Sequence, residues 1–220
     1  MLFLGNQPFL GLIASVAAIG LLIYVISTIN WQALRRRPGT HHFFAGAVLI
    51  VTGLWLMHAG IKPGLHFHIL GVTGMTLLMG WRLAILACGF ILTGVYLLGK
   101  VSLEDLGVSL LFGCALPVFI TWQFYLQVYR RMAHNPFVYI LVAGFLNAGI
   151  TQAAYALILS GWYVHMGLWD LNTVWEDLLR YLPLMMFPEG VINGMFIAGM
   201  VSFHPRWLST FDQDSYFGQS

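Results

Sequence analysis

The chain has 220 residues, of which 59% are hydrophobic and only 8% are charged. Soluble domains carry about 25% charged residues, so this composition excludes a soluble globular protein and indicates a lipid environment. The net charge of +2 is too small to indicate a nucleic-acid partner. Cys88 and Cys114 lie inside apolar runs, and we expect two small buried side chains rather than a disulfide.

Seven apolar segments are candidates for membrane-spanning helices, which need about 20 residues each. In chain order they cover residues 8–28, 43–59, 66–80, 83–99, 106–128, 137–164 and 182–203. The first follows MLFLGNQ, which has no basic residue, and is too long for a signal-peptide core, so we expect it to be retained. Only Trp81 and Arg82 separate the third segment from the fourth, which predicts a tight turn. We predict an all-α, polytopic bundle of about seven helices, forming a single integral membrane domain over residues 1–220.

The basic residues predict how this bundle is oriented. Alternate connections hold seven of them on one side: Arg35, Arg36, Arg37, Arg82, Arg130, Arg131 and Arg206. The opposite side holds Lys62, Lys100 and Arg180. The positive-inside rule then predicts an external N-terminus and a cytoplasmic C-terminus in a multi-pass protein of the cell membrane. The longest outer connection is aromatic-rich, and residues 171–181 are predicted to form a short helix on the membrane, with Asp170 or Asn172 as its N-cap.

The eight histidines divide by predicted side. His41, His42, His134 and His204 fall at cytoplasmic ends, where we interpret them as interfacial anchors or helix caps. The other four gather toward the outer face, together with Met166 and a carboxylate inside the last helix: His58, His66, His68, His165 and Glu189. Imidazole suits Zn, Cu, Ni and Co ions, so this group is a candidate metal site.

His66 and His68 form an HxH pair that does not share a face on a regular helix. On an extended segment entering a helix, both imidazoles can point to one place. Pro63 and Gly64 directly precede the pair, which favours such a non-helical entry.

Glu189 is costly within a membrane span, so it requires a cavity, a partner or a functional path. Three roles compete: metal ligand, proton acceptor, or a cap that receives helix N-terminal amides. Asn193 follows at i+4, and both side chains are expected to point inward. Gly190 and Gly194 are also spaced i, i+4, which favours the close approach of a neighbouring helix.

The third and fourth segments read HFHILGVTGMTLLMGWRLAILACGFILTGVYLLG, followed by VSLEDLGVSLLFGCALPVF. These stretches resemble the HLLGG and LLLGPW motifs, and the helix that follows them, of the CbiM/NikM proteins. Those proteins are the membrane-embedded substrate-binding components of energy-coupling-factor cobalt and nickel importers. The resemblance is clearest from His66 to about Arg131, and it implies the same seven-helix plan with an external N-terminus.

The resemblance also implies a metal site near the outer face. The family binds its ion with the N-terminal amine, a Met-His start and the histidine of the HLLG motif, which corresponds to His68. This chain begins Met1-Leu2, so only Met1 and its amine match the start. His58, His66 or His165 are candidates to replace the missing imidazole.

We therefore expect a membrane component that takes up a divalent transition metal, with Co, Ni, Cu and Zn all open. No P-loop, GxSxG or dinucleotide motif is present, so the chain is not expected to be an enzyme. ATP hydrolysis would come from separate ATPase and transmembrane coupling subunits. The alternative is a non-transporting accessory subunit of a membrane metalloenzyme, for instance one using copper, which the missing Met-His start favours. A third hypothesis is a membrane enzyme using His66, His68 and Glu189.

Overall fold

The fold is known from a computed structural model, which describes residues 8–36, 40–57, 59–62 and 65–218. The long helices are α1 (Pro8–Thr28), α3 (Thr40–Leu56), α4 (Val72–Leu97), α5 (Leu106–Arg131), α6 (Pro136–His165) and α8 (Leu182–Phe203). There are also short helices α2 (Trp31–Arg36), α7 (Leu171–Asp177) and α9 (Gln213–Phe217), two 3-10 turns (Leu179–Tyr181 and Pro205–Trp207) and two strands, β1 (Ala59–Lys62) and β2 (Leu65–Phe67). Five of the long helices have the length and hydropathy to cross a membrane, and α3 is a shorter apolar helix.

Helix α4 contains two of the predicted segments, because its chain direction reverses at Gly80. Gly80 has φ 80° and ψ 161°, which lie outside helical geometry and suit glycine. Residues near 71 lie beside Val51 of α3, residues 78–80 line a cavity with Phe43, and Gly94 lies beside Thr52. Residues 72–79 therefore run antiparallel to α3, and the rest of α4 runs back alongside it in the opposite direction. The predicted tight turn between the third and fourth segments is confirmed, one residue before Trp81.

The start of the third segment differs from the prediction. Helix was expected from His66, but residues 65–67 form strand β2, which pairs antiparallel with β1, and α4 begins only at Val72. The non-helical entry anticipated from Pro63 and Gly64 is confirmed by the strand. The first arm of α4, residues 72–79, is consequently a half-length helix of about 12 Å, at 1.5 Å per residue.

Two long helices contain wide turns with π-type hydrogen bonding, at Ser109–Ala115 in α5 and Tyr139–Leu146 in α6. The second of these turns packs against α8, where a Cβ on Gly190 or Gly194 would come within 3.0 Å of Phe145. The predicted close approach at these two glycines is thus confirmed, with α6 as the neighbour.

The predicted surface helix is also present. Helix α7 begins after Asp170, whose carboxylate accepts a hydrogen bond from the Thr173 amide at 3.2 Å. Asp170 is therefore the N-cap, and hydrogen bonds from the Thr173 hydroxyl and then from the Thr173 amide lower the pKa of its carboxyl group. Helix α7 packs against β1 and covers the end of the bundle that holds the strands. We call this end, with Trp55, His68 and α7, the histidine face.

The opposite end, which we call the arginine face, holds Arg82, Arg131 and Arg206. The C-terminal segment folds back over it: the Thr210 hydroxyl donates to the Leu77 carbonyl at 2.7 Å, and the Ser209 amide donates to the Leu78 carbonyl at 2.8 Å. Two of the carbonyls at the end of the 72–79 arm are capped in this way. Of the arginines that the sequence grouped on one side, Arg82, Arg130, Arg131 and Arg206 lie at this end, and Arg37 lies outside the described residues.

Both cysteines are completely buried, as expected, and neither forms a disulfide. They come from α4 and the wide turn of α5, and their thiols lie close enough to interact directly. No pattern in the sequence indicated this proximity.

Helix α1 approaches α5 most closely at Gly107. A Cβ at this position would lie 2.5 Å from the Cα and the nitrogen of Ser15, which are backbone atoms that cannot rotate away. We expect Gly107→Ala to lower the free energy of unfolding by at least about 1–3 kcal/mol, because overpacking forces the helices apart.

Thermal unfolding in detergent measures this effect, and Gly113→Ala is the matched control in the same helix. A Cβ on Gly113 meets no atom within 4 Å. Equal unfolding midpoints for the two variants would contradict the close contact.

Candidate metal centre

The carboxylate of Glu189 binds the backbone amides just before the start of α4. Its Oε2 accepts a hydrogen bond from the Leu70 amide at 2.8 Å, and its Oε1 accepts one from the Gly71 amide at 2.9 Å. The side chain is only 2% exposed. Amides at a helix start have no partner within the helix and favour negative charge. Of the three roles considered for Glu189, the geometry favours the cap.

Asn193 extends this arrangement by one helical turn. Its amide nitrogen donates to Glu189 Oε1 at 2.8 Å, and its Oδ1 accepts a hydrogen bond from the Gly74 amide at 2.7 Å. The expected inward pairing of Glu189 and Asn193 is confirmed. Together the two side chains of α8 satisfy three backbone amides at the start of α4, which fixes this non-helical segment against α8.

Gly71 is the point where extended chain becomes helix. Its φ of 64° is positive, and its amide is one of the two bound by Glu189. The carbonyl of Leu70 accepts a hydrogen bond from Trp55 Nε1 at 3.0 Å, so α3 holds the same segment from the other side. The sequence analysis missed Trp55, since a tryptophan near a helix end is most simply an interfacial anchor.

His68 lies two residues before Leu70 and is 7% exposed. Its ring meets the Trp55 ring edge-on at a centroid distance of 5.3 Å and the Tyr155 ring at 6.5 Å. The segment that carries His68 is thus tied to Glu189 by hydrogen bonds, and the imidazole itself lies between two aromatic rings. A ligand held this firmly loses little conformational freedom when it binds an ion.

The other predicted ligands are less completely described. His66 lies in β2, where its backbone pairs with Gly60, but its side chain lies outside the described residues. Met1 and His58 also lie outside them. Within the described part of the chain, no three His, Cys, Asp or Glu side chains are grouped closely enough to hold a metal ion.

His165 lies at the same end of the bundle as His68, but the two side chains are not neighbours. It is exposed at the last turn of α6, ten residues beyond Tyr155, which corresponds to about 15 Å along the helix. Met166 follows directly after the helix. The sequence predicted a shared depth for His165 and His68 and placed the end of α6 correctly, but it did not predict that His68 lies beside Tyr155, well before that end.

Comparison with known proteins identifies the family. A sequence profile described as CbiM, the cobalt uptake substrate-specific transmembrane region, matches residues 7–207. The chain belongs to this family. The CbiM membership confirms that the protein is a multi-pass membrane component of a transition-metal uptake system rather than an enzyme. No curated protein matches this CbiM chain.

Two solved structures share the CbiM fold seen here. A truncated transition metal transporter has a TM-score of 0.73 and 16% identity, over 90% of this chain and 95% of its own. A second transition metal transporter has the same TM-score and identity, over 89% of each chain. At this identity the likeness shows the fold alone, and it extends over nearly the whole chain.

The cap formed by Glu189 has a measurable consequence. In Glu189→Gln, one carboxylate oxygen becomes an NH₂ group, which faces the donor hydrogens of Leu70, Gly71 or Asn193. We expect a loss of at least about 1–3 kcal/mol in unfolding free energy, because a buried donor loses its acceptor. Thermal unfolding measures the loss, and hydrogen exchange at residues 70–71 localises it.

Glu176→Gln is the matched control. Glu176 pairs with Arg180 at the surface, where its side chain is 49% exposed, so its neutralisation should change stability by less than about 1 kcal/mol. The capping role of Glu189 would be contradicted if both glutamine variants had the same unfolding midpoint and hydrogen exchange at residues 70–71 were unchanged.

Proposed function

We propose that this protein binds a divalent transition-metal ion at the histidine face and that His68 is one of the ligands. Three observations support the proposal: membership of a cobalt uptake family, the match of His68 to that family's metal-binding histidine, and the rigid support of its segment by Glu189. The ion is the cargo of the uptake system. The family description favours cobalt, and imidazole donors also accept Ni, Cu and Zn.

The proposed ligand set combines His68 with His66 and the amine of Met1, and His58 is a further candidate. His66 and His68 flank the end of a strand, and alternate residues of an extended chain point to the same side. Glu189 is left out of this set, because both of its oxygens already accept amide hydrogens. His165 is left out because α6 carries it away from Tyr155.

We further propose that separate ATPase and coupling subunits drive uptake. The sequence contains no P-loop, and a substrate-specific membrane region requires an energy source elsewhere. The accessory-subunit alternative depends on Leu2, which stands where relatives have a histidine. Cobalt or nickel uptake by cells that also express the partner subunits separates the two functions, since an accessory subunit would not accumulate metal.

Mutation of His68 tests the metal site. Purified protein should hold about one equivalent of cobalt or nickel, measured by mass spectrometry of the metal and by calorimetry, and His68→Ala should lose it. His66→Ala should weaken binding, because it removes a second nitrogen donor. His134→Ala is the control, since His134 stacks on Tyr129 at the arginine face, with a ring distance of 4.6 Å.

An extra residue before Met1 tests the amine separately, because it displaces the terminal nitrogen and leaves every side chain intact. Unchanged metal content in His68→Ala, in protein that unfolds at the wild-type temperature, would overturn the site.

The predicted orientation is testable with single cysteines. Trp175 lies on α7 at the histidine face and is 55% exposed, whereas Met132 ends α5 at the arginine face and is 43% exposed. We expect an impermeant maleimide to label Trp175→Cys but not Met132→Cys in intact cells. The native cysteines provide no background, because both are completely buried. The reverse labelling pattern would invert the proposed orientation.

A further inference from the structure

A cavity of about 720 Å³ opens at the arginine face, at the end of the bundle opposite His68. Its walls come from the ends of α1 and α3, from α2, from the reversal of α4 and from the segment after α8. Sites for small ligands in proteins have volumes of roughly 300–1,000 Å³, so this cavity is large enough for a headgroup and part of a chain. His68, the proposed ligand whose side chain the structure describes, does not line it.

The cavity carries positive charge. Arg82 and Arg206 both line it, and their Nε atoms donate to Thr28 Oγ1 at 3.1 Å and to Gln213 Oε1 at 3.3 Å. These bonds orient both guanidinium groups and leave their terminal nitrogens as donors. Among the residues that the structure describes, no carboxylate lies within ion-pair distance of either group; Asp212 lines a smaller neighbouring cavity together with Arg206. The charge of this site is therefore suited to an anion and unsuited to the metal cargo.

The remaining lining is apolar and aromatic. Phe43, Phe44, Leu78 and Met79 cover one part, and three tryptophans, Trp81, Trp122 and Trp207, line it as well. The Trp81 ring lies under the Arg82 guanidinium at 4.6 Å, and Trp207 packs on Phe43 at 3.8 Å. Tryptophan and arginine together are typical of the depth of lipid headgroups, where a ring faces hydrocarbon and a cation faces phosphate.

We propose that this cavity binds an anionic phospholipid, whose phosphate contacts Arg82 and Arg206 and whose upper chain lies against Phe43, Phe44 and Leu78. The site combines two guanidinium groups that lack a carboxylate partner among the described residues with an apolar wall in a membrane protein, and an anionic phospholipid matches both. Inorganic phosphate would leave the apolar wall in water. The inference does not depend on the metal site.

The lipid would also join parts of the chain that are distant in sequence. Arg82 belongs to the reversal of α4, and Arg206 belongs to the segment that caps the 72–79 arm through Ser209 and Thr210. An anion between the two arginines cancels their mutual repulsion and holds the C-terminal segment against α4. Anionic lipid should therefore stabilise the protein more than neutral lipid does.

The experiment uses the full chain in nanodiscs of phosphatidylcholine with and without about 20 mol% phosphatidylglycerol. The phosphatidylglycerol gives the bilayer a negative surface potential. Brominated phosphatidylglycerol should quench tryptophan fluorescence more strongly than brominated phosphatidylcholine, because three tryptophans line the cavity. Mass spectrometry of the intact protein should show phosphatidylglycerol enriched on the order of tenfold, since each arginine near the surface adds a several-fold preference. The double variant Arg82→Gln/Arg206→Gln should lose this preference.

Arg180→Gln is the control variant, since Arg180 pairs with Glu176 away from the cavity. If the double variant does not fold, the quenching difference in the wild type still decides. Equal quenching by the two brominated lipids would overturn the proposal, and so would displacement of the lipid signal by inorganic phosphate. A partner subunit that crosslinks at Trp207 and excludes the lipid would show that the cavity is a protein-docking site instead.

Discussion

Two hydrogen bonds from the amides of Leu70 and Gly71 to the carboxylate of Glu189 determine how the middle of this chain is placed. A buried carboxylate and unpaired helix-start amides would each be costly alone in a membrane. Here the carboxylate supplies the acceptors and the amides supply the donors of the same hydrogen bonds. Because the two partners are 118 or more residues apart, the pairing fixes α8 against the start of α4. Trp55 adds α3 to the same point through the Leu70 carbonyl. The position of His68 follows from these three contacts.

The short arm of α4 is held at both ends. Glu189 and Asn193 bind its first amides, and Thr210 and Ser209 bind its last carbonyls. Eight residues of helix cannot be stable in isolation, since half of their backbone amides and carbonyls have no partner within the helix. The side chains of α8, the Thr210 hydroxyl and the Ser209 backbone amide supply several of the missing partners, so this arm connects the two faces of the protein. A change in how the C-terminal segment packs would thus reach the His68 segment over a short distance.

The sequence was a good guide to the number of segments, to the turn at Gly80, to the cap of α7 and to the pairing of Glu189 with Asn193. These features follow from local rules of hydropathy, glycine geometry and helical spacing. It was a poor guide to features that depend on how neighbouring elements pack. His165 was expected at the depth of His68, but His68 lies beside Tyr155, ten residues before His165 on α6. Helix was expected from His66, but pairing with β1 makes that stretch a strand. The proximity of Cys88 and Cys114 likewise depends on helix packing.

The strand that contains His66 limits what can surround this part of the bundle. Backbone that is neither helix nor closed barrel leaves amides and carbonyls unpaired, and such backbone is tolerated at membrane depth only where protein encloses it or where it borders an aqueous space. The stretch from β2 to Gly71 is the part of the bundle where this condition applies most directly, since its hydrogen bonds go to a hairpin partner, a carboxylate and a tryptophan. The stretch from β2 to Gly71 therefore lies inside protein or beside an aqueous space rather than against hydrocarbon.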